Sequence, residues 1–132
     1  MPIEPKQPTA QGPAEWFTGD VYLDPLVQAQ EPSRVSVAAV RFTPGARTAW
    51  HSHTVSQTLV VTDGVGLHQP RGGRIEQIRA GDVVVTAADV WHWHGATADN
   101  YMTHLSITES PGDGRNEPQW GDRVTDSEYN AG

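Results

Sequence analysis

Cysteine is absent from the 132 residues, which excludes disulfides, thiolate metal sites and cysteine nucleophiles. Basic residues are scarce: nine Lys and Arg stand against sixteen Asp and Glu, for a formal net charge of −7. Nucleic acid and anionic membrane surfaces both demand a basic face, so neither is expected as a partner. No apolar run approaches the length of a membrane span, and the opening MPIEPKQPTAQGPAEW has no apolar stretch of signal-peptide length. The expectation is a soluble, cytoplasmic protein. Also missing is a convincing 3.6-residue period over ten or more residues, so long amphipathic helices are not expected.

Turn formers are plentiful instead. Thirteen glycines and ten prolines punctuate the chain, which suits many short strands. RVSVAAVRF places Ala38, Val40 and Phe42 on one face and Arg41 on the other. Ala49 to Gln57 and Thr58 to Thr62 are read as a strand pair or one bent strand, with further strands at Gly66 to Gln69, Arg74 to Ile78, Val83 to Thr86, Trp91 to His94 and Tyr101 to Thr108. Asp63-Gly64 is read as the turn that ends one of them, and Pro70-Arg71-Gly72-Gly73 as a hairpin turn. Short strands at turn spacing predict a single all-β sandwich, barrel or jelly roll over residues 13–110. A Pro/Gln-rich extended arm is expected over 1–12. A polar tail follows over 111–132, with one helical turn near Thr125 to Asn130 capped by Thr125 or Asp126.

Five of the six histidines are grouped in strands. His51 and His53 are two apart, so on a strand their rings share a face, about 7 Å apart along it. Gln57 has the same parity. His92 and His94 repeat the pattern, and His104 shares its face with Met102, Ser106 and Thr108. Only His68 has no comparable setting. Three imidazoles and one amide oxygen form a plausible ligand set for Mn, Fe, Co, Ni, Cu or Zn. Trp50, Trp91 and Trp93 take the opposite, outward parity. Large outward aromatics favour an interface between copies of the chain, hence a homodimer or homotetramer.

The spacing Gly45-x5-His51-x-His53-x3-Gln57-x6-Gly64 resembles the first motif of the cupin superfamily, with Gln57 where Glu is usual. Gly81, Ala87, Asp89 and His92 fall on the second motif, where Ala87 and Asp89 replace the usual Pro and Gly. The segments AEWFTGDV, PGARTAWH, QTLVVTDG, GDVVV, HWHGA, MTHL and VTDSEY, spread from residue 14 to residue 129, are similar to small bacterial cupins described as manganese-dependent hydroxynitrile lyases. The resemblance implies a jelly-roll β-barrel and a divalent ion, Mn(2+) first, with Fe, Ni, Co or Zn behind it. The ligands would be His51, His53, Gln57 and His92. Thr48, His94 and His104 would be the active-site polar residues, and Ala38 and Val40 would line the substrate pocket. Phe42, Leu59, Met102 and Thr108 are further pocket candidates.

The neutral amide of Gln57 would leave a bound dication near a charge of about +2, a stronger Lewis acid than a glutamate-ligated one. Cyanohydrin cleavage also needs a base for the hydroxyl proton. A nearby cation lowers a histidine's pKa, so His94 or His104 would be neutral and able to accept it. Thr48 could orient the hydroxyl. The activity that the resemblance implies is a carbon–carbon lyase that cleaves or forms cyanohydrins such as mandelonitrile, with a small-molecule substrate. A metal-dependent dioxygenase or isomerase on the same fold, and a non-catalytic metal- or ligand-binding cupin, are the competing expectations.

Overall fold

A computed structural model describes residues 3–114 and 118–132. Twelve strands and one short helix follow one another: β1 (Ala10–Gln11), β2 (Phe17–Thr18), β3 (Val21–Val27), β4 (Val35–Phe42), β5 (Arg47–Thr48), β6 (His51–Ser52), β7 (Gln57–Pro70), β8 (Glu76–Arg79), β9 (Val83–Thr86), β10 (His92–Ala96), β11 (Met102–Glu109), β12 (Gln119–Trp120) and α1 (Asp126–Tyr129). All named pairings are antiparallel. They run in the order β1-β3-β4-β11-β7-β10-β5-β2, with β8 and β9 added to β7, and β6 joined to both β10 and β12. The fold is the all-β barrel expected from the turn spacing. Among the described residues no helix is long and apolar enough to cross a membrane.

β7 belongs to both walls of the barrel. Its first half pairs with β11 and β9, and its second half with β10 and β8. The crossing falls at Gly64, which has φ 80°. A Cβ there would sit 1.9 Å from the Tyr101 carbonyl oxygen. Asp63-Gly64 therefore does not end a strand, as the sequence suggested. It bends one continuous strand from one wall into the other, because glycine permits both the left-handed backbone and the close approach.

Strict alternation on β4 turns Val40 and Phe42 inward and leaves Arg41 exposed. These two join Phe17, Val21, Ala46, Val61, Ile78, Ala96 and Met102 in the principal core. The tryptophans correct the sequence reading. They do face outward, but Trp50 and Trp93 are buried in a second cluster with Val124 and Tyr129, and Trp91 packs against it. What covers them is the chain's own tail, so they supply no exposed aromatic face for a partner copy.

Several directional bonds hold that tail. Arg47 donates from Nε and Nη2 to the Val124 carbonyl at 3.2 and 2.8 Å, and from Nη2 to Asp126 at 2.8 Å. Its guanidinium lies 4.5 Å from the Tyr129 ring centroid. The Tyr129 hydroxyl donates to the Ala96 carbonyl at 2.6 Å. α1 begins at Thr125, whose side chain accepts from the Glu128 N–H while Glu128 accepts from the Thr125 N–H, a reciprocal capping box. Glu128 also accepts from Trp50 Nε1 at 3.3 Å. At the other end, the arm is pinned where Ala10–Gln11 pair with Leu23 and Tyr22. Tyr129→Phe is expected to cost about 1 kcal/mol, the net value of one hydrogen bond. That corresponds to a drop of roughly 3–5 °C in Tm for a domain of this size, read by thermal melting.

Candidate active site and metal centre

Register brings the two histidine motifs together. His51 on β6 is the direct cross-strand partner of His92 on β10, so their rings approach to 4.3 Å between centroids. His53 follows β6 on the same side, and its ring lies 5.3 Å from that of His51. The backbone N–H of Asp89 donates to the His53 carbonyl at 2.7 Å, so the turn before β10 holds His53 in place. One ligating nitrogen from each of His51, His53 and His92 lies within 4.8 Å of the others, and all three residues are buried.

The tautomers follow from the partners. Nδ1 of His51 meets the Ala49 carbonyl, and Nδ1 of His92 meets the Val90 carbonyl, each at 2.9 Å. A carbonyl only accepts, so both Nδ1 atoms carry the proton and both Nε2 atoms present a lone pair. Gln57 opens β7. Its amide nitrogen donates to Ser106 Oγ at 2.9 Å, which aims Oε1 at His92 Nε2, also 2.9 Å away. In that orientation two acceptors face one another. Burial holds the His92 pKa down to about 4, with the bond to Val90 opposing the shift and His53 and His68 reinforcing it. The ring is thus neutral near pH 7 and has no proton to place between the two acceptors. A cation would resolve this contact, and the donor set of imidazole nitrogens plus one amide oxygen fits a divalent metal.

Beside this cluster His104 Nε2 and His94 Nδ1 share one hydrogen bond of 3.0 Å. Burial lowers both pKa values. His94 falls well below its ordinary value, with His104 and His51 adding to the shift, and His104 falls to about 4. His94 Nε2 has no hydrogen-bond partner among the described residues. The His94 backbone N–H donates to Thr48 Oγ1 at 3.2 Å, which leaves the Thr48 proton free to donate elsewhere. Phe42 packs against both rings, at 5.8 and 5.4 Å between centroids.

A cavity of about 200 Å3 adjoins both groups. Of the residues singled out from sequence, Val40, Thr48, His51, His53, Gln57, His94, His104 and Thr108 line it. His92 sits just behind, 1% exposed. Phe42, Leu59 and Met102 do not reach the cavity. They are fully buried: Phe42 supports the rings, and the Met102 side chain packs on Gly66. Ala38 is half-buried and faces a neighbouring hollow that also touches Ser106 and Thr108. Phe17, Ser106, Pro118 and Trp120 line the cavity without having been singled out as pocket residues. Ser106 could have been found, since period two puts it on the face of His104. Trp120 could not, because nothing local shows that the tail returns to pair with His51. His68 was also passed over. It is the cross-strand partner of His94, its Nε2 lies 3.1 Å from Thr86 Oγ1, and its ring lies 5.8 Å from that of His92.

Residues 38–108 match the family model described as "Cupin domain". The chain belongs to the cupin family. A curated relative from Granulicella tundricola, named (R)-mandelonitrile lyase, is 50% identical over 123 residues, which is 93% of this chain and 92% of that protein. A cupin-like protein from Thermotoga maritima has a crystal structure that superposes with a TM-score of 0.86 at 37% identity, covering 98% of this chain and 95% of that one. A cupin-2 domain from Rhodospirillum rubrum shares the fold at 16% identity, with a TM-score of 0.71 over 92% of this chain and 77% of that one.

Within this cupin, Asp89 accounts for its departure from the second motif. It is the one non-glycine residue of the described chain with positive φ, at 64°. Aspartate tolerates the left-handed region where glycine is usual. Asp89→Gly is expected to preserve stability within about 1 kcal/mol, whereas the β-branched Asp89→Val should cost about 1–2 kcal/mol, both read from melting curves. Elemental analysis should find a divalent metal on the purified protein, and His51→Ala or His92→Ala should remove it without unfolding the barrel, as judged by far-UV circular dichroism.

Proposed function

We propose that this cupin is a hydroxynitrile lyase that cleaves mandelonitrile-type cyanohydrins to an aldehyde and hydrogen cyanide, and forms them in reverse. The observation that carries the reading is the hydrogen-bonded His94–His104 pair, which shares one small cavity with His51, His53 and Gln57, with His92 directly behind them. The relative named (R)-mandelonitrile lyase, alike over nearly the full length of both chains, supports the choice of substrate.

His51, His53, Gln57 and His92 would hold the ion, to which we assign Mn(2+). When bound it supplies Lewis acidity, undiminished by any carboxylate ligand. The remaining steps belong to the chain. Val40, Phe17 and Trp120 give the cavity apolar walls that hold an aryl or alkyl group and exclude water. Thr48 has its oxygen occupied by the His94 N–H, so its own proton can be donated to the substrate hydroxyl oxygen and orient it. His94 accepts the hydroxyl proton at Nε2. As the carbon–cyanide bond breaks, its electron pair leaves with cyanide and the C–O bond becomes a carbonyl. The proton on His94 then passes to cyanide. His104 Nε2 meets His94 at Nδ1, so it sets which His94 nitrogen is bare and shares the charge that forms there. His92 takes no part in proton transfer, because its one lone pair is directed at the ligand site.

The test is cyanide release from (R)- and (S)-mandelonitrile under anaerobic conditions. Release without oxygen is expected, and an absolute oxygen requirement would instead point to a dioxygenase. His94→Ala and His104→Ala should each lower kcat by roughly two to four powers of ten while metal content is kept. His53→Ala should lose both metal and activity. Full activity in both His94→Ala and His104→Ala would overturn the assigned proton transfer.

A further inference from the structure

β6 lies between β10 and β12, so His51 has His92 as its cross-strand partner on one side and Trp120 on the other. Both neighbours touch its ring, His92 at 4.3 Å and Trp120 at 4.9 Å between centroids, with the indole tilted by 38°. The bond from Nδ1 to the Ala49 carbonyl fixes one atom of the His51 ring. One hydrogen bond still lets a ring pivot about the donor–acceptor line, and packing against the ring removes that freedom. Trp120 is itself held. It stacks on Trp16 at 5.1 Å with the planes 4° apart, and meets Phe17 edge-on at 5.9 Å. Trp16 is 37% exposed and belongs to neither hydrophobic cluster, so its main ring contact is this stack. Its backbone closes a circuit. The Trp16 carbonyl accepts from the Ala49 N–H at 2.8 Å, and the Ala49 carbonyl is the one that His51 Nδ1 addresses. Trp16 therefore reaches His51 twice, through Ala49 and through Trp120. On the tail side, the Gly121 N–H donates to the Trp50 carbonyl at 2.7 Å and the Trp50 N–H to the Asp122 carbonyl at 2.9 Å, which fixes the backbone next to both rings.

We propose that Trp120, braced by Trp16, is a positioning residue for the metal centre. It holds the His51 ring so that Nε2 stays aimed at the ion, and it favours the loaded ring over the empty one. The inference rests on His51 as a ligand and is independent of the lyase reaction. Its first half is geometric: a ligand nitrogen that is already aimed loses less freedom when the ion arrives. Its second half is electrostatic. An imidazole that shares its lone pair with a dication becomes electron-poor. Indole has the π-system most attractive to positive charge among the aromatic side chains, so the contact strengthens on loading. The Nδ1 partner of His51 is a neutral carbonyl rather than a carboxylate, which leaves the indole as the contact that responds to this charge. Groups that orient a ligand in this way are worth about 10- to 100-fold in metal affinity.

Calorimetric titration of the metal-stripped full chain with Mn(2+) and, separately, with Zn(2+) tests it. Trp120→Leu should bind the ion about 10- to 100-fold more weakly than wild type. Trp120→Phe, which retains a ring, should recover most of that loss. Trp16→Ala should weaken binding by roughly 2- to 12-fold, the value of one aromatic pair. Thermal melting separates positioning from packing. A residue that only packs lowers the Tm of stripped and loaded protein alike, whereas Trp120→Leu should also shrink the rise in Tm that a fixed metal concentration produces. A Trp120→Leu protein with wild-type affinity and a wild-type metal-induced rise overturns the proposal and leaves the ligand set standing. Wild-type protein that takes up neither ion overturns the ligand set and the proposal with it. Should Trp120→Leu lose its native far-UV spectrum, Trp16→Ala decides, because Trp16 lies outside both clusters; unchanged affinity in that variant overturns the proposal.

Discussion

The pairing of His51 with His92 is the constraint on which the site depends. These residues come from separate motifs, and only the antiparallel register of β6 with β10 makes them neighbours. Once they face each other, each ring is locked by its own backbone carbonyl two residues before it. Both lone pairs are then committed to the interior before any ligand arrives. That arrangement is unfavourable for the chain alone, because neutral acceptors are crowded together in a dry place. Its surroundings hold it: β12 covers β6 from one side, and β7 flanks β10 from the other.

The burial that suits the proposed ligation also suits the proton transfer proposed for His94. His94 and His104 lie deeper than the cavity mouth, and desolvation keeps both neutral across the physiological range. A solvent-exposed histidine would be partly protonated there and less effective as an acceptor. The hydrogen bond between the two rings engages one nitrogen of each, and His94 Nε2 and His104 Nδ1 are left without a hydrogen-bond partner among the described residues.

Much of this was legible in the sequence, and the reasons are physical. Period two is a local property, so the shared face of His51, His53 and Gln57, and of His94 with His92, could be read without a structure. The parity of the tryptophans was legible for the same reason. What covers them was not, because the contacts of Arg47 with Val124 and Asp126 join residues 77 and 79 positions apart. Asp63-Gly64 misled because its turn chemistry is the same whether a strand stops or bends. Phe42, Leu59 and Met102 share the inward parity of true cavity residues. Parity separates inside from outside, but it does not separate packed core from open space. His68 was overlooked since its relation to His94 exists only across the ladder between β7 and β10.

The stretch from Trp120 to Tyr129 follows β1 to β11 along the chain. Trp120 closes over His51, and Val124 and Asp126 grip Arg47, the immediate neighbour of Thr48. A chain in which only β1 to β11 had paired would therefore still lack one side of the cavity. The cavity is complete only when the segment from Trp120 to Tyr129 has docked, so the closing of the site and the burial of Trp50 and Trp93 are one packing event.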